Sequence, residues 1–126
     1  MKHVKLGCGI LVVLFTIGLL LTLCLSGLRD SLCSAIDTAA TAALAENWEE
    51  ADKSAKAGRQ LWERRRKFVA SVVDHELLEE ADTLFAQLDV YGALQLAAEY
   101  ATVCKCLVRQ MDAIGESQSL RWWHLL

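Results

Sequence analysis

From Leu6 to Leu28 the chain runs 23 residues without a charge, LGCGILVVLFTIGLLLTLCLSGL, nine of them leucine. At ~1.5 Å per residue a helix of this length rises ~34 Å, enough to cross a ~30 Å hydrocarbon core with modest tilt. Beyond it the pattern becomes amphipathic. Leu28, Leu32, Ile36, Ala40 and Leu44 recur every four residues, which predicts that the spanning helix continues outward to about Ala45. Asn47-Trp48-Glu49-Glu50 reads as a capping box, in which the Asn47 side chain receives the amide three residues on and Glu50 reaches back. It opens a second helix with a stripe of Trp48, Ala51, Ala55, Gly58, Trp62, Val69 and Val73. Asp74 caps a third, carrying Leu77, Ala81, Leu84, Phe85 and Leu88 on one face. Asp89 opens a fourth, with Ala93, Ala97, Tyr100, Ala101, Cys104, Val108 and Met111, and Gly115 marks its C-terminal stop.

The expected fold is therefore all-α: an N-terminal transmembrane helix continuing into an antiparallel bundle of about four helices. The chain divides into a leader (1–5), a transmembrane helix (6–28), a helical bundle (29–115) and an apolar tail (116–126). The absence of proline and the low glycine count favour helices with short connections. Two helix openings resemble each other at an offset of 42 residues, Asn47-x-x-x-Ala51-x-x-x-Ala55 and Asp89-x-x-x-Ala93-x-x-x-Ala97. That length suits a helix-hairpin repeat, and convergent alanine-rich helix starts would look the same.

A cleaved secretory signal has an apolar core of ~7–15 residues before a small-x-small site. This run is longer and offers only Cys24-Leu25-Ser26, so an uncleaved signal anchor is expected. Lys2 and Lys5 precede the span, while Arg29 is offset at once by Asp30. The N-terminus is thus expected to be cytoplasmic and the bulk of the chain extracytoplasmic, with the protein in the cell membrane. Setting Lys2 and Lys5 aside leaves 11 basic against 16 acidic residues, a net charge of −5 outside the bilayer. Such a domain has no electrostatic case for nucleic acid.

Few residues offer chemistry. The densest polar cluster is Asp74-His75-Glu76-Leu77-Leu78-Glu79-Glu80. His75 and Glu79 share a helix face at i, i+4, a spacing that two metal ligands can use. Neither a zincin pair nor a di-iron Glu-x-x-His is present, and acidic residues in a first helical turn favour the helix dipole anyway. The run Arg64-Arg65-Arg66-Lys67 is a solvated face in its plain reading. There is a sharper one. The outer arm of the first helix, residues 28–45, rises ~26 Å, so a returning helix reaches the headgroups near residue 65. Gly18-x-x-x-Thr22-x-x-x-Ser26 lines up small residues on one face of the span, as at some helix dimer interfaces. Of five cysteines, Cys8 and Cys24 lie in the span, with Cys8 a candidate for acylation. A Cys33–Cys104 disulfide, a Cys33 bridge to a second copy, and three free external thiols all fit the count. The tail Trp122-Trp123-His124-Leu125-Leu126 is apolar enough to pack on the bundle, rest at the membrane interface or meet a partner.

The leader and span, Asn47-Trp48-x-x-Ala51, Trp62, the Asp74-His75-Glu76 turn and the closing Ser119-Leu120…Leu125-Leu126 together resemble the bacterial membrane-anchored proteins of domain of unknown function 4363. The resemblance implies a helical membrane protein and supplies no catalytic residues. The expectation is an interaction or scaffolding module, not an enzyme and without a cofactor. Its partners are the lipid bilayer and another membrane or extracytoplasmic protein, or a second copy of itself. The alternative is a metal-dependent or ligand-sensing domain built on Asp74, His75, Glu76 and Glu79.

Overall fold

A computed structural model describes the backbone of residues 1–125 and the side chains of residues 1–117. Among the described residues there are four helices and no strand: α1 (Lys2–Leu44), α2 (Trp48–Ala70), α3 (His75–Leu94) and α4 (Ala97–Leu125). α1 packs on α2 and α4, α3 on α4 and α2, and α1 does not touch α3. The arrangement is an up-down-up-down bundle in which α1 and α3 stand diagonally opposite.

α1 is one continuous helix of 43 residues, as the pattern predicted. Its two halves differ in what surrounds them. Large apolar side chains from Val4 to Leu23 are exposed, whereas Leu25, Leu32, Ile36, Ala39 and Ala43 are buried in the bundle and Leu28 packs against it. The four-residue stripe needs one correction: Leu44 is 61% exposed. On a helix of 3.6 residues per turn an i+4 repeat drifts ~40° per step, so the buried seam must alternate threes and fours. It does, through Ile36, Ala39 and Ala43.

Asn47 accepts a hydrogen bond from the Glu50 amide at 3.4 Å and starts α2 as expected. Ala51, Gly58, Trp62, Val69 and Val73 are buried, with Trp48 and Ala55 packed at the edge. Gly58 lets α2 approach α1 closely: a Cβ there would stand 3.3 Å from Ile36 Cδ1 and 3.5 Å from Ala35. Asp74 takes the extended backbone of an N-cap but makes no side-chain cap hydrogen bond to α3. The inner face of α3 centres on Leu78, Ala81, Phe85 and Leu88, with the predicted Leu77 and Leu84 only partly covered.

The fourth helix does not begin at Asp89. That residue lies inside α3, and the true break is at Gln95 and Leu96. The 42-residue repeat falls with it, since its second copy is not a helix start. Gly115 also lies inside α4, whose backbone runs on to Leu125. Where the Trp122-Trp123 side chains rest lies outside the described residues. Along α4 the buried positions are Tyr100, Val103, Cys104, Leu107, Gln110, Met111 and Ile114. Val103, Leu107 and Ile114 lie beside the expected stripe, which had the Tyr100, Cys104 and Met111 positions right.

Why the chain turns at residue 95 without glycine or proline is visible in its hydrogen bonds. The Leu96 amide donates to Tyr91 O at 3.0 Å and the Gln95 amide to Gly92 O at 3.2 Å, with Gln95 at φ 54°. The first hairpin repeats the device: Asn47 donates to Ala42 O at 2.9 Å, Glu46 to Ala43 O at 3.0 Å, and Glu46 has φ 61°. Both are Schellman closures with a non-glycine residue in the left-handed region, a conformation that costs an L-residue ~1–2 kcal/mol. Gln95→Gly should therefore stabilise the bundle by ~0.5–1 kcal/mol after the added chain entropy of glycine is subtracted, read as a rise in urea midpoint.

Candidate functional site

Side chains rather than close helix contact join α2 to α3. Trp62 is buried and stacks on Phe85, with ring centroids 6.4 Å apart. Its indole N–H donates to Asp82 Oδ1 at 2.8 Å, and Arg66 reaches Asp82 Oδ2 through Nε at 2.9 Å and its terminal nitrogen at 2.7 Å. Nearer the hairpin tips Arg59 pairs with Asp89 and Glu63. On the other side of the bundle Arg29 of α1 pairs with Asp112 of α4. Apart from Arg59 with Glu63, an i,i+4 pair within α2, none of these partners could be matched by spacing, because each joins different helices.

Burial works to raise the Asp82 pKa, but hydrogen bonds from Arg66 and Trp62, and then the charges of Arg66 and Arg59, outweigh it and the net shift is downward. A carboxylate with a lowered folded-state pKa stabilises the fold above its unfolded value of ~3.9 and loses that contribution as pH falls through the folded value. Asp82→Asn should accordingly flatten the acid limb of a melting-temperature profile below about pH 4, while lowering the plateau at neutral pH.

The basic run is split by this network. Arg66 is spent on Asp82, and the Arg64 Nε donates only to Gln60 O of its own helix, at 3.4 Å. Arg64, Arg65 and Lys67 are exposed, and among the described residues Arg65 and Lys67 have no ion-pair partner. A depression of about 340 Å³ between the helices is lined by Leu23, Cys24, Gly27 and Leu28 of α1 and by Leu61, Arg65 and Phe68 of α2. The antiparallel register thus sets Arg65 beside the outer end of the apolar run, at the level the helix-rise estimate indicated.

The polar cluster at the start of α3 does not assemble into a metal site. His75, Glu76, Glu79 and Glu80 are exposed, and among the described residues no group of three His, Cys, Asp or Glu side chains is placed to hold an ion. All five cysteines are free, so the Cys33–Cys104 bridge is not formed. The Arg29–Asp112 pair fixes the α1–α4 register: four residues further up α1, Cys33 faces Val108, one turn from Cys104. Burial pushes the Cys104 thiol up to about 12, which removes it as a nucleophile, and burial raises Cys33 as well. The small-residue face of the span is partly taken within the chain. Gly18 is buried, and Thr22 and Ser26 line a depression with Asp112, Gly115 and Glu116 of α4.

At the opposite end, a cavity of about 440 Å³ opens between the hairpin tips, lined by Trp48, Glu49, Asp52, Asp89, Gly92 and Tyr100 among others. Trp48 and Tyr100 meet edge to face at 5.4 Å, and the Tyr100 hydroxyl donates to Ala51 O at 3.3 Å. Gly92 lets the Tyr100 ring sit close: a Cβ there would stand 3.3 Å from the ring, which would have to give by a few tenths of an ångström.

Compared with known families, residues 21–124 match the model of DUF4363, a domain of unknown function. The chain belongs to this family. The match covers α1 from residue 21 onward together with α2, α3 and α4, so the DUF4363 domain is the four-helix unit. No curated protein and no solved structure matches the chain. Within this DUF4363 chain, α1 is the one helix long and apolar enough to cross a membrane among the described residues.

Proposed function

We propose that the chain is a single-pass membrane protein, N-terminus cytoplasmic, that holds its helical bundle outside the cell membrane as an interaction or scaffolding module. One observation carries the reading. A single helix supplies both a stretch whose large apolar side chains are mostly exposed, along residues 4–23, and the seam around which α2 and α4 pack. Those 20 residues rise ~30 Å, the thickness of the hydrocarbon core, and the first ion pair, Arg29 with Asp112, stands just beyond them. Because α1 is one continuous helix, the bundle is held at a set height and azimuth. Leu44, Leu94 and Leu96 are exposed at the hairpin tips furthest from the membrane, where a partner protein would seat.

Three measurements test the proposal on the full chain. Alkaline extraction should leave it in the membrane pellet, and an impermeant maleimide should label intact spheroplasts at the exposed Cys106, with labelling lost in Cys106→Ser. Release into the supernatant overturns the anchor, and labelling that requires lysis overturns the orientation. A photocrosslinking residue at Leu94 should give a discrete protein adduct in native membranes. A smear with no discrete species would remove the scaffold reading.

A further inference from the structure

The α1–α2 groove at the foot of the bundle has a composition that neither the anchor nor the core requires. Leu61 and Phe68 give it an apolar floor, with Phe68 still 38% exposed, and Arg65 stands in it while Arg64 and Lys67 flank it on α2. Every other arginine on α2 has a carboxylate: Arg59 has Asp89 and Glu63, Arg66 has Asp82. The nearest acidic side chains along the two helices are engaged elsewhere, Glu63 by Arg59 and Asp30 by Arg29. Arg65 in the groove and its exposed sequence neighbours Arg64 and Lys67 thus form a basic run without a protein carboxylate. The α1 wall of the groove, from Leu23 to Leu28, is continuous with the apolar surface assigned to the bilayer.

We infer that this groove binds the headgroup of an anionic phospholipid of the outer leaflet, with Arg65 on the phosphate, Arg64 and Lys67 adding to the positive potential around it, and Phe68, Leu61 and Leu23 against the glycerol and upper acyl chain. The inference rests on the membrane-anchored reading. Register supports a lipid over a soluble anion: the cations lie level with the point where α1 leaves the apolar run, so a phosphate held there has its chains directed along α1. A planar guanidinium suits bidentate contact with phosphate oxygens, and cations at an anionic surface gain from its potential as well. The acidic start of α3, with Glu76, Glu79 and Glu80, stands at the same foot of the bundle but across α2 from the groove, since α3 packs on α2 and α4 and not on α1.

The test uses the full chain in mixed detergent–lipid micelles, titrated with phosphatidylglycerol or phosphatidylcholine and followed by native mass spectrometry. Wild type should retain phosphatidylglycerol at least about tenfold better than phosphatidylcholine, and the preference should collapse to within about twofold in Arg64→Gln/Arg65→Gln/Lys67→Gln. Lys53→Gln/Lys105→Gln/Arg109→Gln, which removes as much exposed charge elsewhere, should leave it intact. Helical circular dichroism of the triple variant checks that its bundle persists. Phe68→Ser should weaken retention of both lipids without touching the charge. Equal retention of the two lipids by a chain that still pellets with membranes overturns the headgroup site alone. Displacement of phosphatidylglycerol by millimolar inorganic phosphate overturns it in favour of a free-anion site. A chain that does not enter membranes at all overturns the anchor and the groove together.

Discussion

Trp62→Ala should unfold most of the bundle at physiological temperature. The side chain is 2% exposed and is the largest fully buried one, so its removal deletes a full aromatic burial and leaves a cavity between α2 and α3. Large aromatic-to-alanine changes in cores cost ~3–5 kcal/mol, against a total stability of ~5–15 kcal/mol for a domain. Here there is a second loss. The indole N–H is one of the two groups that hold Asp82, and without it the carboxylate keeps only Arg66. Trp62→Phe separates the terms: it keeps most of the packing against Phe85 and forfeits the hydrogen bond, so it should cost ~1–3 kcal/mol. Urea unfolding of the full chain in mild detergent, followed by far-ultraviolet circular dichroism, reads both. An alanine variant within ~1 kcal/mol of wild type would show that the α2–α3 seam contributes little and that α1, α2 and α4 hold the domain by themselves.

The same seam marks where the sequence stopped being readable. Helix identity was legible because it is local: a charge-free run, a capping Asn47 and alternating apolar positions each leave a mark within a few residues. Trp62 could be placed on the inner face of α2 by its spacing from Gly58 and Val69. That its N–H would meet Asp82 could not, because Asp82 carries no mark distinguishing it from Asp74 or Asp89. All three acids are followed by apolar positions at helical spacing, and reading Asp89 as a cap moved a helix boundary by eight residues from the observed start at Ala97. The real break is made by backbone hydrogen bonds around Gln95, a residue whose identity gives no warning of a left-handed conformation. The basic run illustrates the opposite case. Its height beside α1 followed from helix rise alone, but the loss of Arg66 to Asp82 depended on which way α2 was rotated against α3. The α1 seam was misread at its end, since a strict four-residue repeat selects Leu44 where the packed helix uses Ala43.

The second large effect comes from treating α1 as one helix in two solvents. Leu32→Ala and Leu14→Arg sit five turns apart on it and should fail in opposite ways. Leu32 is wholly buried between α2 and α4, so its truncation should cost the bundle ~2.5–5 kcal/mol and leave membrane retention unchanged. Leu14 lies near the middle of the exposed apolar stretch and is itself exposed. An arginine there should penalise insertion by ~2.5–3.5 kcal/mol and shift part of the population out of the carbonate-resistant pellet, while the melting temperature of the detergent-solubilised chain stays within a degree or two of wild type. The contrast is the informative quantity. If Leu14→Arg lowered the melting temperature as far as Leu32→Ala, the N-terminal half of α1 would be packed against protein, and its exposed leucines would belong to an interface between chains rather than to the bilayer. If Leu32→Ala released the chain from membranes, the bundle and not the span would be what holds it there. Opposite failures on one uninterrupted helix are what a rigid mount requires: the same backbone transmits position from the bilayer to the seam, while each half is stabilised by its own surroundings.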